Sequence, residues 1–148
     1  MKHIVEPMRI ADFEEVYCLW QKSEGVGLSE ADGRTNIELF LRRNPDCSQV
    51  ARNQDGRIIG AALCGHDGRR GCIYHLAVDK EHRKKGVGKR LVESCLARLQ
   101  ADGIHRCNIF VYADNDAGKA FWKHEGWKER VELRLMQREI ERQPSGEL

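Results

Sequence analysis

The sequence has no Cys-x-x-Cys pair and no His-x-x-x-His pair, so the local spacings that hold zinc or run disulfide exchange are absent. Its six cysteines, Cys18, Cys47, Cys64, Cys72, Cys95 and Cys107, are dispersed, several inside apolar stretches where a free thiol packs as a small hydrophobe. Reduced thiols in the cytoplasm and no metal site are the expectation. No apolar run approaches the ~20 residues of a membrane span. The opening Met1-Lys-His-Ile-Val-Glu-Pro7 carries charge where a signal peptide needs an apolar core, so neither export nor membrane association is expected. Internal repeats and low-complexity segments are missing too. Neither sign of charge dominates, since 25 Lys/Arg stand against 23 Asp/Glu.

What is present suits one soluble domain with a full core: 148 residues, 41% hydrophobic and 32% charged. The net charge of +2 is unevenly spread, because Asp79 to Arg90 holds six Lys/Arg and two Asp/Glu and leaves the remainder negative. Charge focused on one loop points to a small polyanion and away from a broad nucleic-acid surface. That loop lies inside the most informative stretch, Ile73 to Arg98. Ile73, Tyr74, Leu76 and Val78 read as a strand. Arg83-Lys84-Lys85-Gly86-Val87-Gly88 reads as a basic loop, and Leu91, Val92, Cys95, Leu96 and Leu99 carry helical spacing. A helix start has free N–H groups and partial positive charge, and side-chain-free glycines let an anion approach them. The stretch predicts a phosphate or pyrophosphate site. Arg90 after Gly88-Lys89 breaks the Walker A pattern, and Leu91 stands where a dinucleotide fingerprint needs its third glycine.

The rest of the chain supplies a plain order of elements. Ile4 and Val5 open a first strand. Asp12 caps a helix carrying Phe13, Val16, Tyr17, Leu19 and Trp20, and Ser23 to Gly33 form a polar connection. A second helix covers Thr35 to Arg43 and stops at Pro45. Ser48 to Arg52 and Arg57 to Cys64 form a hairpin around Asn53-Gln54-Asp55-Gly56, and the Ile73 strand follows. After the long helix stops at Gly103, Asn108 to Tyr112 form a strand, joined to the Ile73 strand by a right-handed crossover. A helix from Asp114-Asn115 through Lys123 follows, and Lys128 to Ile140 read as closing strands from the alternation of Val131, Leu133 and Leu135. The tail 141–148 reads as frayed, leaving one domain over 1–140.

Arg83-x-x-Gly86-x-Gly88, after a strand ending Ala77-Val78-Asp79, resembles the pyrophosphate loop of the GCN5-related N-acetyltransferases (GNAT). Asn115-Asp-Ala-Gly-Lys-Ala-Phe-Trp-Lys-His-Glu-Gly-Trp127 is similar to that superfamily's closing motif, Asn-x-x-Ala-x-x-Phe-Tyr-x-x-x-Gly-Phe, with Gly118 at the first alanine. The resemblance extends to small bacterial acetyltransferases of unassigned substrate. It implies an α/β (α+β) GNAT fold: a mixed, mostly antiparallel seven-stranded sheet splayed between strands 4 and 5, with about four helices. It also implies acetyl-CoA as co-substrate. Pantetheine would lie along Leu76, Ala77 and Val78, and the pyrophosphate on Arg83, Lys84, Lys85, Gly86, Val87, Gly88 and Lys89. Asn115 would bond the pantetheine arm, and Phe121 and Trp122 would line the channel.

The implied reaction is direct attack by a primary amine of a small molecule or protein, with the Val78 backbone N–H holding the developing oxyanion. Two side chains compete for proton transfer, Tyr74 by position and His75 by chemistry. A regular strand would turn them to opposite faces. Trp122 stands where many relatives carry an acidic tyrosine, which leaves open a module that binds acetyl-CoA without transfer. Glu24, Glu30 and Asp32 read as a solvated acidic loop, and a homodimer is compatible with the fold.

Overall fold

The computed structural model describes residues 2–143. Its elements, in order, are β1 (Ile4–Pro7), α1 (Phe13–Lys22), α2 (Arg34–Arg43), β2 (Gln49–Arg52), β3 (Ile58–His66), β4 (Gly71–Val78), α3 (Val87–Ala101), β5 (Cys107–Ile109) and α4 (Asp116–His124). Single 3-10 turns occupy Ile10–Asp12, Glu30–Asp32 and Lys80–His82. Strand order follows chain order, antiparallel from β1 to β4, with β5 joining β4 in parallel across the α3 crossover.

β3 is the spine of the sheet, buried from Ile58 to Gly65, and its side chains alternate between two cores. Ile59 and Cys64 meet Leu91, Val92, Cys95 and Leu99 of α3. Ile58 and Leu63 meet Val16, Leu19 and Trp20 of α1 and Ile37 of α2 on the other face. Each fully buried Leu or Ile contributes about 1.5–3 kcal/mol, so both faces are needed to seat the sheet. Two glycines set how closely α3 lies. A Cβ at Gly60 would stand 2.9 Å from Leu91 Cδ1, and one at Gly71 would stand 2.6 Å from Leu99 Cδ1. The hairpin turn forms as its residues demand: Asn53 Oδ1 accepts the Asp55 and Arg57 N–H groups, and Gly56 takes φ +82°.

Three expectations need correction. The sheet has five strands among the described residues, against seven expected. Lys128 to Ile140, read as closing strands, contains none, and its residues are exposed. Alternation there is real, but a strand also needs a partner edge. Instead a turn closes at Leu133 N–H to Arg130 C=O, and Arg130 pairs with Glu132 two residues on. Asp12, read as the cap of α1, makes no cap bond to it. Its carboxylate accepts the Arg9 N–H at 2.9 Å and the Arg52 guanidinium at 2.6 Å. Arg52 also holds Glu6 at 2.6 Å, and charged donors of this kind outcompete a backbone amide. Most of the tail read as frayed, residues 144–148, lies outside the described residues.

Candidate active site

The site begins where the sheet stops being continuous. β4 and β5 share three rungs, Gly71–Cys107, Cys72–Asn108 and Ile73–Ile109, and then part. From Tyr74 to Val78, β4 therefore has no strand partner on its β5 side among the described residues. This is the splay expected between strands 4 and 5.

An irregularity in β4 lies at the same place. Leu63 faces Tyr74, yet Ala61 faces Ala77, so β4 carries one extra residue there. His75 takes up the surplus with φ +54°, a conformation uncommon for a side-chain-bearing residue. The Trp20 indole N–H holds the bulged backbone by donating to the His75 carbonyl at 3.0 Å, and the two rings meet edge-on at 5.0 Å. Tyr74 meets Phe40 of α2 and stacks on Phe110, whereas Leu76 packs toward α3. Tyr74 and His75 thus share the α1–α2 face. The opposite-face rule applied to this pair from sequence fails because the strand is not regular here.

His75 also has a partner in the α1–α2 connection. Its Nε2 lies 2.9 Å from Asp32 Oδ1, and the two side chains are 16% and 9% exposed. The second Asp32 oxygen accepts the Ser29 N–H at 3.0 Å. An ionised carboxylate only accepts, so Nε2 carries a proton, and in the neutral ring Nδ1 is the acceptor. This is the arrangement of a histidine base with a carboxylate orienter. Tyr74 is a weaker contender: burial, and then a hydrogen bond with Cys72, push its phenol well above the ordinary range. It stays protonated at neutral pH and is no base.

The loop before α3 is shaped for an anion. Lys84 and Gly86 take φ +65° and +82°, turning the chain sharply into the helix. No side chain caps α3, and its first internal bond runs from Arg90 N–H to Gly86 C=O. The Val87, Gly88 and Lys89 N–H groups precede that bond and are left over. Lys84, Lys85 and Lys89 are exposed and make no salt bridge among the described residues. Arg83 differs from the lysines around it. Its Nε donates to the Val78 carbonyl at 3.1 Å and its Nη1 lies 3.7 Å from Glu24.

Val78 is oriented by its neighbour. Asp79 N–H donates to Ile59 C=O at 2.7 Å. Successive residues of an antiparallel ladder turn their amides opposite ways, which directs the Val78 N–H off β3 into the opening. Leu76 and Ala77 belong to the same unpaired edge.

Across the opening, Asn115 caps α4, its Oδ1 accepting the Gly118 N–H at 2.9 Å. A Cβ at residue 118 would stand 2.4 Å from Asn115 Nδ2, which explains glycine where the motif has alanine. Phe121 lies over Gly88, 3.4 Å from where its Cβ would be. Trp122 stacks edge-on with Phe121 and Trp127 and packs toward the α3 core. The α1–α2 connection closes one side: a Cβ at Gly27 would stand 2.2 Å from Tyr112 Oη.

The acidic loop comes apart as a group. Glu24 faces Arg83, Glu30 pairs with exposed Arg142, and Asp32 is buried on His75. Asp32 and Trp20 are the site residues that sequence reasoning missed as partners of His75. The one local signal was Ser29-x-x-Asp32, which forms a capping box and so fixes the carboxylate.

The sequence model of the acetyltransferase (GNAT) family matches residues 13–127. An acetyltransferase of Sodalis glossinidius (strain morsitans) is 34% identical over 113 residues, 76% of this chain and 78% of that protein. One from Yersinia pestis (strain Pestoides F) is 36% identical over 106 residues, 72% and 74% of the two chains. Among solved structures, Ard1 from Thermoplasma volcanium superposes with a TM-score of 0.74 at 23% identity, covering 85% of this chain and 82% of that one. A Thermoplasma acidophilum paia N-acetyltransferase, solved in complex with coenzyme A, gives 0.74 at 18% identity over 86% and 91%. These two speak to the fold. The chain belongs to the acetyltransferase (GNAT) family and is an acyl-CoA-dependent N-acetyltransferase.

Proposed function

We propose that this chain, as one domain over residues 1–140, moves acetyl from acetyl-CoA to a primary amine in the cytoplasm, with His75 as general base and Asp32 as its orienter. The residues present suit the co-substrate: a left-handed turn at Gly86 and three uncapped N–H groups form an anion cradle, ringed by lysines without salt bridges. Acetyl-CoA, when bound, supplies a thioester carbonyl open to attack by a neutral amine. Lys84, Lys85, Val87, Gly88 and Lys89 hold the pyrophosphate. The unpaired edge of Leu76, Ala77 and Val78 aligns the pantetheine arm, and Asn115 at the start of α4 would bond it. Phe121 covers Gly88 and keeps water from that end. Arg83 ties the end of β4 to Glu24 and steadies the edge.

The Val78 N–H offers a preorganised donor where negative charge develops on the carbonyl oxygen. His75 Nδ1 accepts the proton of the attacking amine, and Asp32 stabilises the imidazolium that results. The single observation that carries this reading is the β4 bulge. It turns His75 onto the α1–α2 face beside the unpaired edge, within hydrogen-bond reach of a buried carboxylate. Trp122 supplies no acid, because its indole N–H does not ionise usefully and its ring is packed on Trp127.

Two measurements test the proposal. Acetyl-CoA is titrated calorimetrically into the intact chain and into Gly86→Asp, and thiol release is followed with a panel of primary amines and peptides with free N-termini. Saturable heat lost in Gly86→Asp, together with amine-dependent thiol release, is the expected result. No heat with the intact chain would overturn the cofactor assignment. Heat without thiol release across the panel would return the site to a binding role.

A further inference from the structure

We infer that Cys47, His66 and Asp102, with Cys64 beside them, form a binding site for one thiophilic divalent cation of the zinc class. Their separations in sequence, 36 residues from His66 to Asp102 and 55 from Cys47 to Asp102, make the group invisible to any local motif. The fold converges them from three elements. Cys47 stands just before β2, His66 ends β3, and Asp102 follows the last turn of α3.

One donor atom from each residue lies within 4.8 Å of the other two. His66 Nε2 is 3.2 Å from Asp102 Oδ2, and Cys47 Sγ is 3.9 Å from the same oxygen. Zinc holds nitrogen, oxygen and sulfur donors at about 2.0–2.3 Å, so tetrahedral neighbours sit about 3.3–3.8 Å apart. The gaps seen are close to the edges of that figure. The β2–β3 register, extended two residues, sets Cys47 opposite Cys64. Cys64 is a buried neighbour outside the group of three donors, and the fourth position of a tetrahedral ion is left for water.

The surroundings fit as well. Cys47 and Cys64 are fully buried, whereas His66 and Asp102 are about one-fifth exposed, which leaves a way in from solvent. Arg98 Nη2 holds Asp102 Oδ1 at 3.0 Å, so the carboxylate is oriented from behind with Oδ2 turned toward His66 and Cys47. Loading has a cost at His66. Its Nδ1 accepts the Gly68 N–H at 3.0 Å, so the proton now sits on Nε2 and must move to Nδ1. The turn's other bonds, from the Arg69 and Arg70 N–H groups to Asp67 Oδ1, do not involve His66, so giving up the Gly68 contact leaves the turn closed. Binding displaces the Cys47 thiol proton and therefore tightens as pH rises.

The test is a titration of the reduced, chelator-treated full chain with Co²⁺, followed by Zn²⁺. One equivalent of Co²⁺ should bring thiolate-to-cobalt absorption in the near ultraviolet and an intense tetrahedral band in the visible, both bleached by Zn²⁺. Cys47→Ser, His66→Gln and Asp102→Asn should each weaken binding about tenfold or more. Cys18→Ser, which removes an exposed thiol outside the cluster, should leave the titration unchanged. If circular dichroism shows Cys47→Ser unfolded, His66→Gln at the partly exposed end answers the same question. Absence of thiolate–cobalt absorption in the intact chain would overturn the site. So would absorption that survives in both Cys47→Ser and His66→Gln, or that is lost in Cys18→Ser.

Discussion

Replacing Asp32 by Asn isolates the base proposed above, because it removes a charge while keeping the size of the side chain. The amide still accepts the Ser29 N–H, so the turn that carries residue 32 should keep its place. What changes is the imidazolium. When His75 takes a proton in the parent chain, it gains an opposite charge across a 2.9 Å hydrogen bond, in a pair 16% and 9% exposed. With charge centres about 4 Å apart and an effective dielectric constant near 20, that attraction is about 4 kcal/mol as an upper value. At 1.36 kcal/mol per decade, Asp32→Asn should lower kcat/KM for the amine by about 10²–10³-fold. The assay is thiol release over a pH series with the best amine of the panel, beside calorimetric titration of acetyl-CoA. The acetyl-CoA dissociation constant should not move. Asp32→Asn combined with His75→Gln should be no worse than His75→Gln alone, since the two residues act as one unit. A variant with kcat/KM within about twofold of the parent and the same pH profile would refute the reasoning. So would an equal loss in acetyl-CoA affinity, because the effect would then lie in the fold.

Three further outcomes follow from the same geometry. Gly27→Ala would set a Cβ 2.2 Å from Tyr112 Oη but 3.4 Å from Cζ. It should cost about 1–3 kcal/mol in denaturant unfolding, and Tyr112→Phe in the same chain should recover most of it; an unaffected single variant would mean the loop is not seated there. Trp20→Phe removes the fully buried donor to the His75 carbonyl, so about 1–3 kcal/mol of stability should go, and kcat should fall more than acetyl-CoA affinity as the bulge relaxes. Asp79 is held below its ordinary value of 3.8 chiefly by the His82 hydrogen bond. A depressed carboxylate stabilises the fold above its unfolded pKa and loses that contribution as pH falls through the folded value. Urea unfolding across pH should therefore show the gap between the parent and His82→Asn widest above about pH 4 and closing in more acid solution.

Local chemistry made the helices and the anion loop legible before any coordinates. Leu91, Val92, Cys95 and Leu99 follow helical spacing and are all buried in α3, and Gly86 and Gly103 bracket that helix with left-handed turns. The closing strands were not legible because Val131, Leu133 and Leu135 state only that a strand is permitted. Pairing depends on a neighbour, and a local turn at Arg130 to Leu133 takes precedence. The β4 bulge was hidden for a related reason. Nothing in Tyr74-His75-Leu76 signals an extra residue, since the surplus exists only relative to β3. Asp32 was misread as solvated because the 43 residues between it and His75 are bridged by tertiary packing alone.

The short β4–β5 ladder has a consequence for how such a chain can be altered. Three rungs are a thin seam. To one side lie β1 to β4 with α1 to α3 and their two cores; to the other lie β5 and α4, none of whose residues is fully buried, although Cys107, Ile109, Phe121 and Trp122 pack against the α3 core. Beyond the seam, Phe110, Phe121 and Trp122 reach back to Tyr74, Gly88 and the α3 core, while a substitution at an exposed position disturbs little of the interior that fixes β4 and the anion loop. The exposed positions of that flank, such as Asp114, Asp116 and Ala117, are accordingly the ones that can be grafted from a relative. Such a graft would alter what approaches His75 while leaving its backbone and its carboxylate where they are.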